Sequence, residues 1–272
     1  MEQSDLEVSV RDGVGVVAIT RPQTKNALRR QTFEELRDAL ARFAGMPDVR
    51  AMVLTGTEGT FCSGADLSDP MMGNHLPPSE RGAACAAVLD GLMHALIRDF
   101  RAAPFPIVTA VNGVAAGGGV GLALAGDLTI AARSARFLLT FTPKLGLVPD
   151  LGTSWQLAHR MGRTRALGAV LLGEPISAET AVDWGLIWSV ADDETLPGEA
   201  REIAGRLAAG PLHGQVAARR LVDHAFEASF DAQLDAERDA QAHLVGGQEV
   251  EEAMRAFAER RPPDFAAIAK PT

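Results

Sequence analysis

The sequence predicts an α/β fold of strand–strand–helix units followed by a region of helices alone. Three observations carry that expectation. Apolar strand-like runs alternate with stretches of helical period over the first two thirds of the chain. Residues 102–126 hold no charged side chain but contain two prolines and six glycines. That run reads as a buried strand, a turn and a buried helix rather than a membrane span. From Thr195 onward only amphipathic helix is visible, with breaks at Pro211, near Ser229 and at Gly246-Gly247.

The elements follow in order. Leu6 to Arg11 alternates as a strand, Asp12-Gly13 makes a turn, and Val14 to Thr20 returns as a second strand. Arg21 to Leu28 is a loop. Arg29 to Ala44 places Phe33, Leu36, Leu40 and Phe43 on one helical face, and Gly45-Met46-Pro47 stops it. Ala51 to Thr55 is a short buried strand and Phe61-Cys62 another. Ser68 to Ser79 has three prolines and no period, and is expected to be a mobile loop. Arg81 to Phe100 is a long helix with Val88, Leu92, Leu96 and Phe100 in one stripe. Strands follow at Ile107 to Val111, Asp127 to Ala132 and Arg136 to Phe141, with a small helix from Val120 to Ala125. Helices at Ser154 to Met161, Arg163 to Leu172 and Ala178 to Trp184, and a last strand from Ile187 to Val190, complete the mixed region.

Composition narrows the function classes. The chain has 272 residues, 47% of them apolar, and a net charge of −9. No basic block interrupts that balance, which argues against nucleic acid as the main partner. Cys62 and Cys85, the two cysteines, suggest a reducing compartment and no disulfide framework. No His/Cys spacing suggests a metal site. The acidic start lacks the basic and apolar parts of a signal peptide, so a cytoplasmic protein is expected.

The segment with most chemical content runs from Pro106 to Asp127. A buried strand breaks at Asn112-Gly113, and Gly117 to Gly119 then precede a small apolar helix. Glycines there allow close backbone approach and leave N–H donors free. Such donors can hold a developing negative charge. Tight helix–strand packing is the alternative reason for the glycines.

Three stretches together resemble the crotonase (enoyl-CoA hydratase/isomerase) superfamily. They are Arg21 to Leu28 (RPQTKNAL), Phe61 to Leu67 (FCSGADL) and Val111 to Asp127 (VNGVAAGGGVGLALAGD). Lys144 to Gly152 (KLGLVPDLG) and Gly173 to Leu186 match as well, in the family's order. The resemblance implies a spiral of ββα repeats over residues 1–194 with the acyl-CoA site. It also implies a C-terminal helical region over 195–272 that joins subunits into a homotrimer or a dimer of trimers. The substrate it implies is an acyl-CoA thioester, with coenzyme A present only as part of that substrate and no separate cofactor. By position, the backbone N–H groups of Ala65 and Gly118 match the family's oxyanion hole. Lys25, Ala27, Leu28, Asp66 and Leu67 fall where its loops contact CoA. Phe257 and Arg260 fall where its C-terminal helix approaches CoA or packs.

The acids distinguish the reactions within the family. Hydratases of this family use two glutamates. Here the first position is Gly121, and the second falls on Thr142 or Phe141. Gly121 cannot move a proton, and neither Thr142 nor Phe141 is acidic. Asp150, in Leu-Val-Pro-Asp-Leu-Gly, is the acid left in this region and is the candidate base. That pattern resembles the ring-epoxide and enoyl-CoA isomerase branch. A single carboxylate can take a proton from one carbon and return it to another if an apolar pocket raises its pKa. Leu147, Val148 and Leu151 are the expected walls. Capping of the following helix is the competing role for Asp150.

The expectation is thus an acyl-CoA isomerase. An enoyl-CoA hydratase is the alternative within enzymes, and a CoA-thioester binding protein without turnover is the alternative of another class. RNA binding, known in one branch of the superfamily, is disfavoured by the acidic balance. Asp127, His75 and Glu174 are weaker candidates with structural or solvent-facing readings.

Overall fold

The computed structural model describes residues 3–271; residues 1–2 and 272, the outer ends of the two expected regions, lie outside the described residues. The chain opens with a hairpin, β1 (Leu6–Arg11) and β2 (Val14–Ile19), and a helix, α1 (Arg30–Gly45). Then come β3 (Ala51–Gly56), β4 (Thr60–Cys62), α2 (Pro78–Val88) and α3 (His94–Ala102). The central unit is β5 (Ile107–Val111), β6 (Val114–Ala116) and α4 (Gly118–Leu124). The next is β7 (Leu128–Ala132), β8 (Arg136–Leu138) and α5 (Thr153–Leu172). After β9 (Ile176–Ser177), α6 (Ala178–Asp183) and β10 (Ser189–Ala191), four helices end the chain. They are α7 (Leu196–Ala208), α8 (Leu212–His224), α9 (Phe230–Val245) and α10 (Gln248–Glu259).

Two sheets result, in the orders β1-β2-β3-β5-β7-β10 and β4-β6-β8-β9. Both strands of the opening hairpin lie in the large sheet; after it β3, β5 and β7 go to the large sheet and β4, β6 and β8, the strands that follow them, to the small one. Neighbours from β2 to β10 in the large sheet are parallel, as are β4, β6 and β8 in the small one. This is the crotonase-type spiral of ββα repeats. Parallel strands covered on both faces read as continuous apolar runs, and every residue of β5 is buried. The α1 stripe packs Phe33, Leu36, Leu40 and Phe43 into the same core. Each such side chain contributes about 1.5–3 kcal/mol.

Several expectations needed correction. The 68–79 segment is a hydrogen-bonded turn rather than a free loop. The Asp69 carboxylate accepts the Met71 N–H (2.9 Å) and caps a 3₁₀ turn over Pro70–Met72. The helix expected from Arg81 starts at Pro78, since proline suits a helix's first turn. A wider π turn over Leu89–Met93 divides it. The strand expected to reach Phe141 ends at Leu138, and Phe141–Leu145 forms a second π turn. Strand β6 is too short for its alternation to be visible in sequence.

Helix α7 packs Leu196, Ala200, Ala204 and Ala208 against the large sheet. The buried Arg50 guanidinium donates to the carbonyls of Ala208 (2.8 Å), Gly210 (3.0 Å) and Ile268 (2.9 Å), tying the last segment to β3. Helix α9 buries no residue, and Val222 on α8, Phe226 in the turn after it, and Phe230 and Leu234 on α9 stand exposed. No helix among the described residues is long and apolar enough to cross a membrane.

Candidate active site

The site forms where four segments meet: 21–28, 62–68, the start of α4 and 146–153. Leu28 pairs with Ala65 in a single parallel bridge. The Leu28 N–H donates to the Gly64 carbonyl (2.8 Å), and the Asp66 N–H donates to the Leu28 carbonyl (2.8 Å). A parallel pairing of this kind uses alternate groups, so the Ala65 N–H points to the other side of the ladder.

On that other side lies the start of α4. Gly117 has φ +53, which favours glycine, and its N–H donates to the Leu138 carbonyl (2.9 Å). Gly118 follows as the first helical residue, so its N–H has no intrahelical acceptor. Gly64 packs against this turn: a Cβ there would lie 2.8 Å from the Ala116 carbonyl and 3.5 Å from the Gly118 nitrogen. A Cβ on Gly119 would collide with the Cys62 carbonyl. The glycines therefore do both jobs named from the sequence, leaving donors free and allowing close packing. Burial pushes the Cys62 thiol up to about 12, which makes it packing rather than a nucleophile.

Asp150 faces the same turn. A Cβ on Gly118 would sit 3.6 Å from Asp150 Oδ1 and 3.2 Å from Leu151 Cδ1. Oδ1 is buried and has no hydrogen-bond partner among the described residues. Burial raises this carboxyl from its ordinary 3.8 to about 6. The helix-cap role fails: Gly152 is the N-cap of α5, with no side-chain cap bond. Only the Asp150 backbone carbonyl engages the helix, accepting the Thr153 N–H (2.9 Å). Of the expected walls, Leu151 is buried, but Leu147 and Val148 are exposed because the chain leaves the core after Gly146.

The two positions of the missing hydratase acids have different occupants. Gly121 lies one turn from Gly118, on the same face of α4. A Cβ there would fall 2.6 Å from Thr153 Oγ1 and 2.7 Å from Leu151 Cβ. The space a glutamate would need is filled by the residues after Asp150. Gly121→Ala is therefore expected to cost about 1–3 kcal/mol through overpacking. A lowered Tm in calorimetry checks this; an unchanged Tm would show that the space is open. The Thr142 hydroxyl donates to the Leu147 carbonyl (2.8 Å), and Phe141 is buried.

The CoA-loop candidates divide by exposure. Lys25 is exposed in a left-handed conformation (φ +56), and Leu67 is exposed. Ala27 and Leu28 have buried side chains, so only their backbone can face a ligand. The Asp66 carboxylate is held by Ser68 Oγ (2.6 Å) and Arg21 Nη2 (2.9 Å), which keep its pKa low. His75, Glu174, Phe257 and Arg260 are exposed. Asp127 holds the start of β5, accepting the Ile107 N–H (2.7 Å), and pairs with Arg219 (3.3 Å). Sequence reasoning passed over Arg21, a buried arginine, and Thr153, whose buried hydroxyl has no partner among the described residues. Arg21 heads the RPQTKNAL stretch, but the sequence around neither residue tells which groups lie beside it; only the fold brings their neighbours close.

Two sheets built from successive strand–strand–helix units define a fold of the crotonase superfamily of acyl-CoA-processing enzymes. The chain matches the enoyl-CoA hydratase/isomerase family over residues 9–267, and it belongs to that family. It is 38% identical over 257 residues to the 1,2-epoxyphenylacetyl-CoA isomerase of Escherichia coli (strain K12), covering 94% of this chain and 96% of that protein. A Rhodobacter capsulatus protein named "Probable enoyl-CoA hydratase" is also 38% identical, over 97% of this chain and 99% of its own. The crystal structure of an enoyl-CoA hydratase from Polaromonas sp. JS666 superposes with a TM-score of 0.87 at 30% identity, over 95% of this chain and 98% of that one.

Proposed function

We propose that the protein is an acyl-CoA isomerase that moves a double bond or opens a ring epoxide of an acyl-CoA thioester, with Asp150 as the single base. The observation that carries this reading is the buried, unpartnered Asp150 oxygen facing Gly118, while Thr153 and Leu151 fill the space at Gly121. Asp150 breaks a C–H bond beside the thioester carbonyl and keeps the proton. The bond's electron pair moves onto the carbonyl oxygen, where the Ala65 and Gly118 N–H groups stabilise the enolate. The electrons then return, and Asp150 gives the proton to the γ-carbon, so the double bond shifts and no atom is gained. A carboxyl near 6 suits both halves of that exchange at neutral pH.

Lys25, Ala27, Leu28, Asp66 and Leu67 form the CoA side of the site in this reading. Coenzyme A enters only as part of the substrate, and no resident cofactor takes part. A ring-epoxide acyl group is in keeping with the name of the Escherichia coli relative. The equally similar relative named as a hydratase favours hydration as the second reading. Steady-state assays against crotonyl-CoA, a 3-enoyl-CoA and ring-epoxide phenylacetyl-CoA separate them. Isomerisation of either of the last two, with slow hydration of the first, is expected; brisk hydration alone would overturn the proposal.

Assembly and setting belong to the same reading. Residues 195–272 serve as the trimerisation region, and the apolar side chains exposed on α8 and α9 are the surface for it. Light scattering at micromolar concentration should give a trimer or a dimer of trimers, and a monomer would contradict this. A cytoplasmic setting fits Cys62 and Cys85 as free thiols.

A further inference from the structure

We infer that Arg21 is a positioning residue that aims the Ala65 N–H at the thioester oxygen. The inference rests on the oxyanion reading of Ala65 given above. Arg21 is a buried arginine whose guanidinium reaches three acceptors on three segments. Nε lies 3.4 Å from Asp5 Oδ1, Nη1 donates to the Ala27 carbonyl, and Nη2 donates to Asp66 Oδ2 (2.9 Å). Ala27 precedes Leu28 and Asp66 follows Ala65. The guanidinium therefore grips both strands of the Leu28–Ala65 bridge, one residue to each side of it.

The grip is itself anchored. Asp5 is buried, and its carboxylate also accepts from Arg29 Nε (2.8 Å) and the Thr32 hydroxyl (2.6 Å) at the start of α1. The Arg21 N–H donates to Asn26 Oδ1 (2.8 Å), and Asn26 Nδ2 donates to the Thr57 carbonyl (3.0 Å). Arg21 thus couples α1, the 21–28 loop and the 62–68 loop. Only a planar fork of donors can serve carboxylate, carbonyl and carboxylate from one centre. The direction of one backbone N–H decides whether it meets the charge that develops in the transition state, so a small rotation of residue 65 costs turnover more than binding.

The test compares the full-length protein with Arg21→Gln, by kinetics and by the carbonyl stretch of bound phenylacetyl-CoA carrying ¹³C at the carbonyl. In the native protein the oxyanion donors should lower that stretch on binding. Arg21→Gln is expected to abolish most of the lowering and reduce kcat by roughly 10²-fold, the scale of one lost oxyanion donor. KM and the affinity for free CoA should change little. A native-like carbonyl shift and kcat in the variant would overturn the inference. So would a rise in KM with the shift intact, which would make Arg21 a support for the CoA loop only. If Arg21→Gln does not fold, Asp66→Asn leaves the Arg21–Asp5 pair in place and should lose part of the shift; an unchanged shift there overturns the inference too. If the native protein itself shows no lowering, the oxyanion reading fails, and the Arg21 role falls with it.

Discussion

Asp150→Asn lowers turnover by about 10²–10⁴-fold, the usual scale for a lost general base, and at the same time raises thermal stability at neutral pH. The amide keeps the side chain's size but cannot accept the proton. The stability gain follows from the raised carboxyl. Its ordinary value of 3.8 governs the unfolded chain, and about 6 governs the folded one. Below 3.8 both states hold the proton and nothing is lost. Between 3.8 and 6 the unfolded chain ionises first, so stability falls as pH rises. Above 6 the full cost is present, at most about 3 kcal/mol for roughly two pK units. Asn removes that cost. In the native protein kcat/KM should fall tenfold per pH unit below about 6, as Asp150 takes up its proton. The Asn variant should lose that limb. Equal activity in the two proteins would remove Asp150 from the mechanism, and a lower Tm in the variant would contradict the buried-charge argument.

Gly118→Val abolishes measurable turnover without unfolding the chain. The new Cβ would meet Leu151 Cδ1 at 3.2 Å and stand 3.6 Å from Asp150 Oδ1. Leu151 Cδ1 is a side-chain end that can give way, so the fold survives. The two added methyls, however, extend into the space between the Gly118 N–H and the carboxylate. A thioester oxygen has to enter that space. Loss of one oxyanion donor costs about 10²–10³ in kcat, and the block to substrate entry adds to it. Circular dichroism should be unchanged while kcat/KM collapses. Full activity in this variant would take Gly118 out of the site.

The fold was legible where a signal stays within one element. The ends of β1 and β5 are read correctly from alternation and from an apolar run. The breaks at Pro211 and Gly246-Gly247 separate helices as expected. What escaped was set by tertiary contact. Three-residue β6 owes its existence to flanking β4 and β8, and the π turn at Phe141–Leu145 leaves no period to detect. In the site, the lack of an acid at Gly121 is plain in the sequence. Its cause is not, because Thr153 and Leu151 reach that space only after α5 packs on α4. The contacts of Arg21 were illegible for the same reason: its partners Asp5 and Asp66 lie 16 residues before and 45 after it.

Water labelled with ¹⁸O separates the two chemistries most directly. An isomerase that returns its own proton gives a product of unchanged mass, with no oxygen from solvent. We predict that outcome for a 3-enoyl-CoA or a ring-epoxide thioester, together with its loss in Asp150→Asn. A product heavier by one molecule of labelled water, formed as the main species by the native protein, would contradict the account.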